Sequence, residues 1–166
     1  MIKDLPEVEV ILRARVKDSE TGEVLEEEIA EILGSMKASI EHDTDKTFFT
    51  ACENSRVVGV VGMKDPDPEM ATDFSITDNA IEIINLFVLP DQAKRGIGKA
   101  LVDKVEWEAA LVGGYSEIIV NSGPRYKETA WGFYDQLPGF SRVGILKDQY
   151  GPGRDAPVWR KVLKNA

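Results

Sequence analysis

A mixed α/β (α+β) fold, with a central mixed and mostly antiparallel sheet carrying helices on both faces, is predicted by two features. One is the pair of β-rich runs in "KTFFTACENSRVVGVVGM", separated by Glu53-Asn54-Ser55, which is a hairpin pattern. The other is the succession "AIEIINLFVLP", "IGKALVDKVEWEAALV", "SEIIVNSG". It reads as strand, helix, strand, and so requires a crossover and a sheet with at least one covered face.

Taken in order, "VEVILRARV" alternates Val8, Val10, Leu12, Ala14 and Val16 and reads as a strand. "VLEEEIAEILGSMKASI" places Leu25, Ile29, Ile32, Leu33, Met36 and Ile40 at helical spacing, an amphipathic helix with an acidic outer face. The hairpin follows, then the turn-rich "PDPEMATDFSITDN". "AIEIINLFVLP" is the most apolar strand and is stopped by Pro90, which lacks the N–H a ladder needs. The next helix ends at Gly113-Gly114, a C-cap pattern. "YKETAWGFYDQL" is a second helix, interrupted by Gly132 and ended by Pro138-Gly139. "FSRVGIL" and "PVWRKVL" close the sheet around the loop "KDQYGPGRDA". No repeat or linker marks a boundary, and 166 residues suit one domain spanning 1–166.

The start, "MIKDLPEVEV", has no apolar segment of the kind a signal peptide carries, and no apolar run reaches membrane-spanning length. A cytoplasmic protein with no membrane partner is the expectation. Cys52 is the single cysteine and His42 the single histidine. An internal disulfide is therefore excluded, and no metal site is expected. His42, in the polar "IEHDTDK", reads as a surface residue at a helix end. A net charge of −9 argues against nucleic acid as a partner, because phosphate contacts need a basic face. Residues 1–80 hold 19 Asp and Glu against 8 Lys and Arg, while residues 81–166 hold 10 against 12. The first half suits a cation and the second an anion.

"QAKRGIGKAL", Gln92 to Leu101, stands between the apolar strand and the following helix. Helix-initial N–H groups have no intrahelical partner, the dipole is positive there, and glycines allow close approach of a ligand. Such a loop holds phosphate, with Lys94, Arg95 and Lys99 adding charge; on these residues alone it also reads as a plain strand-to-helix turn. It is not a Walker loop, since Ala100 follows Gly98-Lys99 where Ser or Thr is required. Nor is it a dinucleotide fingerprint, since Leu101 takes the place of the third glycine.

"INLFVLPDQAKRGIGKALV" followed by "FYDQLPGF" resembles the GNAT superfamily of acyl-CoA-dependent N-acetyltransferases. The first segment is similar to the family's motif A and the second to motif B. The chain departs from the pattern in three places: Ala93 stands where Gln or Arg is usual, Lys127 where motif B often has Asn, and Leu137-Pro138-Gly139-Phe140 is one residue longer than the usual ending. The resemblance implies a sheet splayed between strands 81–89 and 116–121. It implies acetyl-CoA as cosubstrate, its pyrophosphate on the amides of Ala93, Lys94, Arg95, Gly96, Ile97 and Gly98. Its pantetheine arm would pair with the backbone of Phe87 and Val88.

The resemblance also implies catalytic roles. Glu82, fourteen residues before Gly96, matches the general-base glutamate of related histone acetyltransferases; it reads equally as a strand-edge residue, with Asp73 and Asp78 as vaguer alternatives. The N–H of Leu86, at a bulge of the family's strand, would polarise the acetyl carbonyl. Tyr134 matches the tyrosine that protonates the departing thiolate, against a plain core reading, with Tyr126 as its substitute. Tyr150 and Asp155 lie in a loop similar to those bordering the acceptor site, or in an ordinary hairpin connection. The implied partner is a small-molecule amine or peptide acceptor, and exposed sheet edges invite a homodimer. The function expected is direct transfer of acetyl to a primary amine in a ternary complex, the acceptor being cationic. The alternatives are a non-catalytic acyl-CoA-binding regulatory module and an unrelated α/β domain binding another phosphate.

Overall fold

The computed structural model describes residues 4–42 and 44–163; the reading of the first three residues as part of a non-leader segment, and the ends of the 1–166 domain, lie outside these. The elements are α1 (Leu5–Arg15), α2 (Glu26–Glu41), β1 (Thr47–Glu53), β2 (Arg56–Lys64), α3 (Pro68–Asp73), β3 (Ala80–Val88), α4 (Ile97–Trp107), β4 (Glu117–Asn121), α5 (Gly132–Gln136), β5 (Ser141–Leu146) and β6 (Ala156–Val162). Six strands lie in the order β1-β2-β3-β4-β6-β5. The pairs β1–β2, β4–β6 and β5–β6 are antiparallel and β3–β4 is parallel, the mixed, mostly antiparallel sheet expected. No helix among the described residues is long and apolar enough to cross a membrane.

Two compact units divide the chain: one runs to Lys64 and includes Ile84–Val105, the other comprises Asp65–Ile83 and the chain from Glu106 onward. The first unit shows a strand-to-helix reversal, and in the second the segment read as turn-rich contains α3. Residues 8–16, expected as a strand, lie mostly in α1. Val8, Ile11 and Leu12 are buried, whereas Val10 is 53% exposed. Buried positions at i, i+3 and i+4 are helical spacing, and the apolar alternation concealed it. Pro6 opens the helix, Glu7 sits in its first turn and Arg13 and Arg15 in its last, each suited to its end of the dipole. Arg13 grips both carboxylate oxygens of Glu26 at 2.7 and 2.9 Å. The Val57 N–H donates to the Glu7 carboxylate at 2.7 Å. The hairpin turns on Asn54 (φ 50°) and Ser55 (φ 65°), two consecutive left-handed residues as a two-residue turn requires. His42 is exposed at the end of α2.

In the second unit β4 is buried on both faces, with Ile118, Ile119 and Val120 at 1% exposure or less, the continuous apolar run of a covered strand. Its parallel register with β3 comprises Ala80–Glu117, Ile81–Ile118 and Glu82–Ile119. Pairing thus ends at Glu82, as a splay requires, while β4 continues against β6 to Asn121–Val158. Met70, Ile119, Leu146, Ala156 and Val158 form this unit's core, with Phe74 and Ile76 packed on it. At the far end Glu117 is buried, held by Arg160 at 2.5 Å and by the Thr77 hydroxyl at 3.0 Å.

The helical reading of α1 separates two adjacent apolar positions. Leu12→Ala should destabilise by about 2–5 kcal/mol, as for a buried leucine, while Val10→Lys should stay within about 0.5 kcal/mol. In a strand, Val10 and Leu12 would share a face and lose together. Urea unfolding of the two variants checks this.

Candidate functional site

In the first unit a short 3-10 turn, Pro90–Gln92, delivers the chain into the loop. Ala93 is extended, Lys94 has φ +62° and Gly96 φ +84°. Left-handed residues at Lys94 and Gly96 turn the chain sharply before the helix, the kind of loop whose backbone N–H groups suit an anion. Helix α4 then begins at Ile97, and its first turn holds no acidic residue. The Ala100 N–H bonds the Gly96 carbonyl at 2.9 Å. The amides of Ile97, Gly98 and Lys99 precede it and have no carbonyl one turn back within the helix.

Two of the loop's three cations are paired, and Lys94 is exposed. Arg95 makes two bonds to Glu53 of β1, both 2.9 Å, and contacts Gln92; Lys99 pairs with Asp103 at 2.6 Å. These pairs are about half exposed and therefore weak and exchangeable. What the loop itself presents is backbone.

Upstream on β3, Asn85 stands at φ +50° within the strand. A left-handed residue inside a strand breaks its ladder as a bulge does, and Asn is among the few side chains that tolerate it. The next N–H is that of Leu86, where a bulge was expected. Val88 has a partner that the sequence did not suggest: its carbonyl accepts from the Arg15 Nε at 2.7 Å. Burial of Arg15 pulls its pKa below the ordinary arginine value.

In the second unit Glu82 is 2% exposed, so its carboxylate must be satisfied internally. Asn121 Nδ2 donates to Oε1 at 3.1 Å, and the Asp67 N–H approaches Oε2 at 3.4 Å. Asn121 Oδ1 in turn accepts from the Tyr150 hydroxyl at 2.7 Å. The sequence reading placed Glu82 and Tyr150 in the site separately and missed the residue joining them. Its only signal was a polar amide ending the buried run "IIVN". A Cβ on Gly123 would lie 3.1 Å from the Tyr150 ring, so the ring lies close over that backbone.

Asp155 serves the same loop. It accepts from the Asp148 N–H at 2.9 Å, and Asp148, at φ +52°, accepts from the Gly153 N–H at 2.5 Å. Its carboxylate shapes the turn that carries Tyr150. Asp73 and Asp78 are exposed. Tyr126 is half-buried beneath the Arg125 guanidinium.

Tyr134 lies on α5, 5% exposed, with its ring 5.1 Å from that of Trp159. Burial first, and the Tyr150 phenol second, push its pKa well above the ordinary value. The hydroxyl stays protonated through the physiological range, the form a proton donor needs. Beside this network a hollow of about 340 Å³ is lined by Asp67, Pro68, Glu69, Met70, Leu146 and Gln149.

Comparisons with known proteins bear on the family and the fold. The model of the acetyltransferase (GNAT) family matches residues 11–140. Human N-acetyltransferase 8 is 32% identical over 97 residues, which are 58% of this chain and 39% of that protein. The chain thus spans well under two thirds of that relative's length. A crystal structure of a putative GNAT-family acetyltransferase from Desulfovibrio desulfuricans superposes with a TM-score of 0.78 at 21% identity, covering 99% of this chain and 95% of that one. An aminoglycoside 6'-N-acetyltransferase complexed with coenzyme A gives 0.69 at 18% identity, covering 98% and 92%. At these identities the two structures speak for the fold.

A left-handed backbone is strained for any residue with a Cβ, and most for a branched one. Gly96→Val should pull the loop out of its concave form and weaken coenzyme A binding at least tenfold, about 1.4 kcal/mol. Gly22→Val carries similar strain (φ +73°) in another turn and should leave the affinity unchanged. Titration calorimetry on the two folded variants measures the contrast.

Proposed function

Because the chain belongs to the acetyltransferase (GNAT) family, we propose that it transfers acetyl from acetyl-CoA directly to a primary amine in a ternary complex. The loop carries this reading. It offers backbone N–H groups, two left-handed residues and a helix start without an acid, which is what a pyrophosphate requires. Ala93, Lys94, Arg95, Gly96, Ile97 and Gly98 hold it through their amides. Arg95 and Lys99 add charge by exchanging their present carboxylate partners for phosphate. Phe87 and Val88 offer backbone to the pantetheine arm.

Each chemical step then has a residue. Glu82 takes one proton from the acceptor ammonium through water, since its burial closes direct approach. The neutral amine forms the new N–C bond as the C–S bond breaks. The Leu86 N–H, set apart by Asn85, stabilises charge developing on the carbonyl oxygen, a role worth a few kcal/mol. Tyr134 gives a proton to the thiolate, balanced by the second proton lost from nitrogen. The acceptor is a cationic small amine or peptide. The Asp67 and Glu69 side of the hollow supplies the field that favours it. A cytoplasmic site of action and a homodimer accompany this reading.

Thiol release from acetyl-CoA over a panel of amines tests the transfer itself; binding of acetyl-CoA with no release by any amine would favour the regulatory module. Tyr134→Phe should lower turnover about 10²-fold, the scale of general acid catalysis, with the acetyl-CoA KM nearly unchanged. With its pKa raised, Tyr134 should impose no basic limb on kcat below pH about 10. Wild-type turnover in Tyr134→Phe under chemistry-limited conditions would reduce this residue to core. The apparent second-order rate constant should fall with salt more steeply for a cationic acceptor than for a neutral one; equal slopes would remove the steering.

A further inference from the structure

We infer that Asn121 is a positioning residue for proton removal, orienting the carboxylate of Glu82 through one end of its amide while the other end is fixed by Tyr150. This rests on the reading of Glu82 as general base and adds to it the residue on which that base depends.

The polarity of the chain follows from what each group can donate. An ionised carboxylate only accepts, so the Asn121 NH₂ must face Glu82. That leaves the Asn121 carbonyl to receive the Tyr150 hydroxyl, and the observed contacts, 3.1 and 2.7 Å, run in that sense. Reversing the amide would set oxygen against oxygen at Glu82. The acceptor-only carboxylate selects this orientation, and the Tyr150 hydroxyl, by donating to the opposite end, anchors the amide in it. Bonds in such a series polarise one another. Glu82 is 2% exposed and Tyr150 41%, so the chain runs from an accessible loop to a buried base.

Further groups lie about it. Asp67 contributes its N–H to Glu82, and Glu69 follows it on α3. Tyr150 stands at the far end, and Tyr134 is the ionisable neighbour that responds to it. Met70 Sδ lies 4.0 Å from Asn121 Nδ2 and does not titrate. Asn121 has no ionisation of its own, so it acts only through Glu82.

A donor to a carboxylate favours the charged form. Removing it moves the carboxyl titration, and with it the acidic limb of kcat/KM, to higher pH. In Asn121→Leu the limb should rise by about one unit, the scale of one lost bond to a charged group. Activity should then fall about tenfold below the limb and recover above it. Tyr150→Phe keeps the Asn121 donor but unlocks its orientation, and should give a smaller rise. Kinetics use thiol release with the fastest of spermidine, lysinamide and kanamycin. NMR titration of protein carrying ¹³C-labelled glutamate follows Glu82 directly, the signal being assigned by its loss in Glu82→Gln. If Asn121→Leu does not fold, Asn121→Asp sets a second carboxylate beside Glu82 and should raise both midpoints further. A folded Asn121 variant that loses activity at all pH values, with limb and NMR midpoint unmoved, overturns the inference and makes Asn121 a packing residue. Full activity in Glu82→Gln instead overturns the general-base reading itself, a separate result.

Discussion

A buried carboxylate has to be satisfied, and satisfying Glu82 organises the second unit. Its two oxygens are met by groups 15 residues before it and 39 after it in sequence. Asp67 brings the start of α3 to it, and Asn121 brings the end of β4. Because Asn121 has a second end, the requirement passes on to Tyr150 in the loop between β5 and β6. That loop is braced in turn by Asp148 and Asp155. An uncompensated charge in this position would cost several kcal/mol, so the four segments form one constraint.

The loop proposed to hold the pyrophosphate, in the first unit, follows a different principle. Its form is set in the backbone, by Lys94 and Gly96 in the left-handed region and by the start of α4. Side chains are secondary: Arg95 ties the loop to β1 through Glu53, and Lys99 is paired along its own helix. The same reliance on backbone recurs at Asn85, where one left-handed residue interrupts the regular strand just before Leu86.

The sequence was legible where local chemistry decides. The helix 26–41, the hairpin about Asn54-Ser55, the buried strand before Pro90 and the glycine loop each carry their signal within a dozen residues. The departures from that pattern are instructive. Residues 8–16 satisfied period two and, at Val8, Ile11 and Leu12, a helical period as well. Only the burial of one face and the exposure of Val10 chose between them. Asp155, read as an acceptor contact, is held in its own turn, because in a tight loop the nearest unpaired N–H captures a carboxylate.

Sequence by itself determined the mixed sheet, the family and the position of the glycine loop between β3 and α4, because periodicity, turn residues and glycine spacing are written locally and survive any packing. It singled out Glu82, a carboxylate in an apolar strand, and, through the family resemblance, Tyr134. Tertiary structure alone decided what they meet. Asn121 reaches Glu82 across 39 positions of chain, Tyr150 reaches Asn121 across 29, and Arg15 reaches the carbonyl of Val88 across 73. None of these pairings is encoded in a spacing. Each arises because a buried polar group accepts whichever partner the packed strands and loops bring within hydrogen-bond distance.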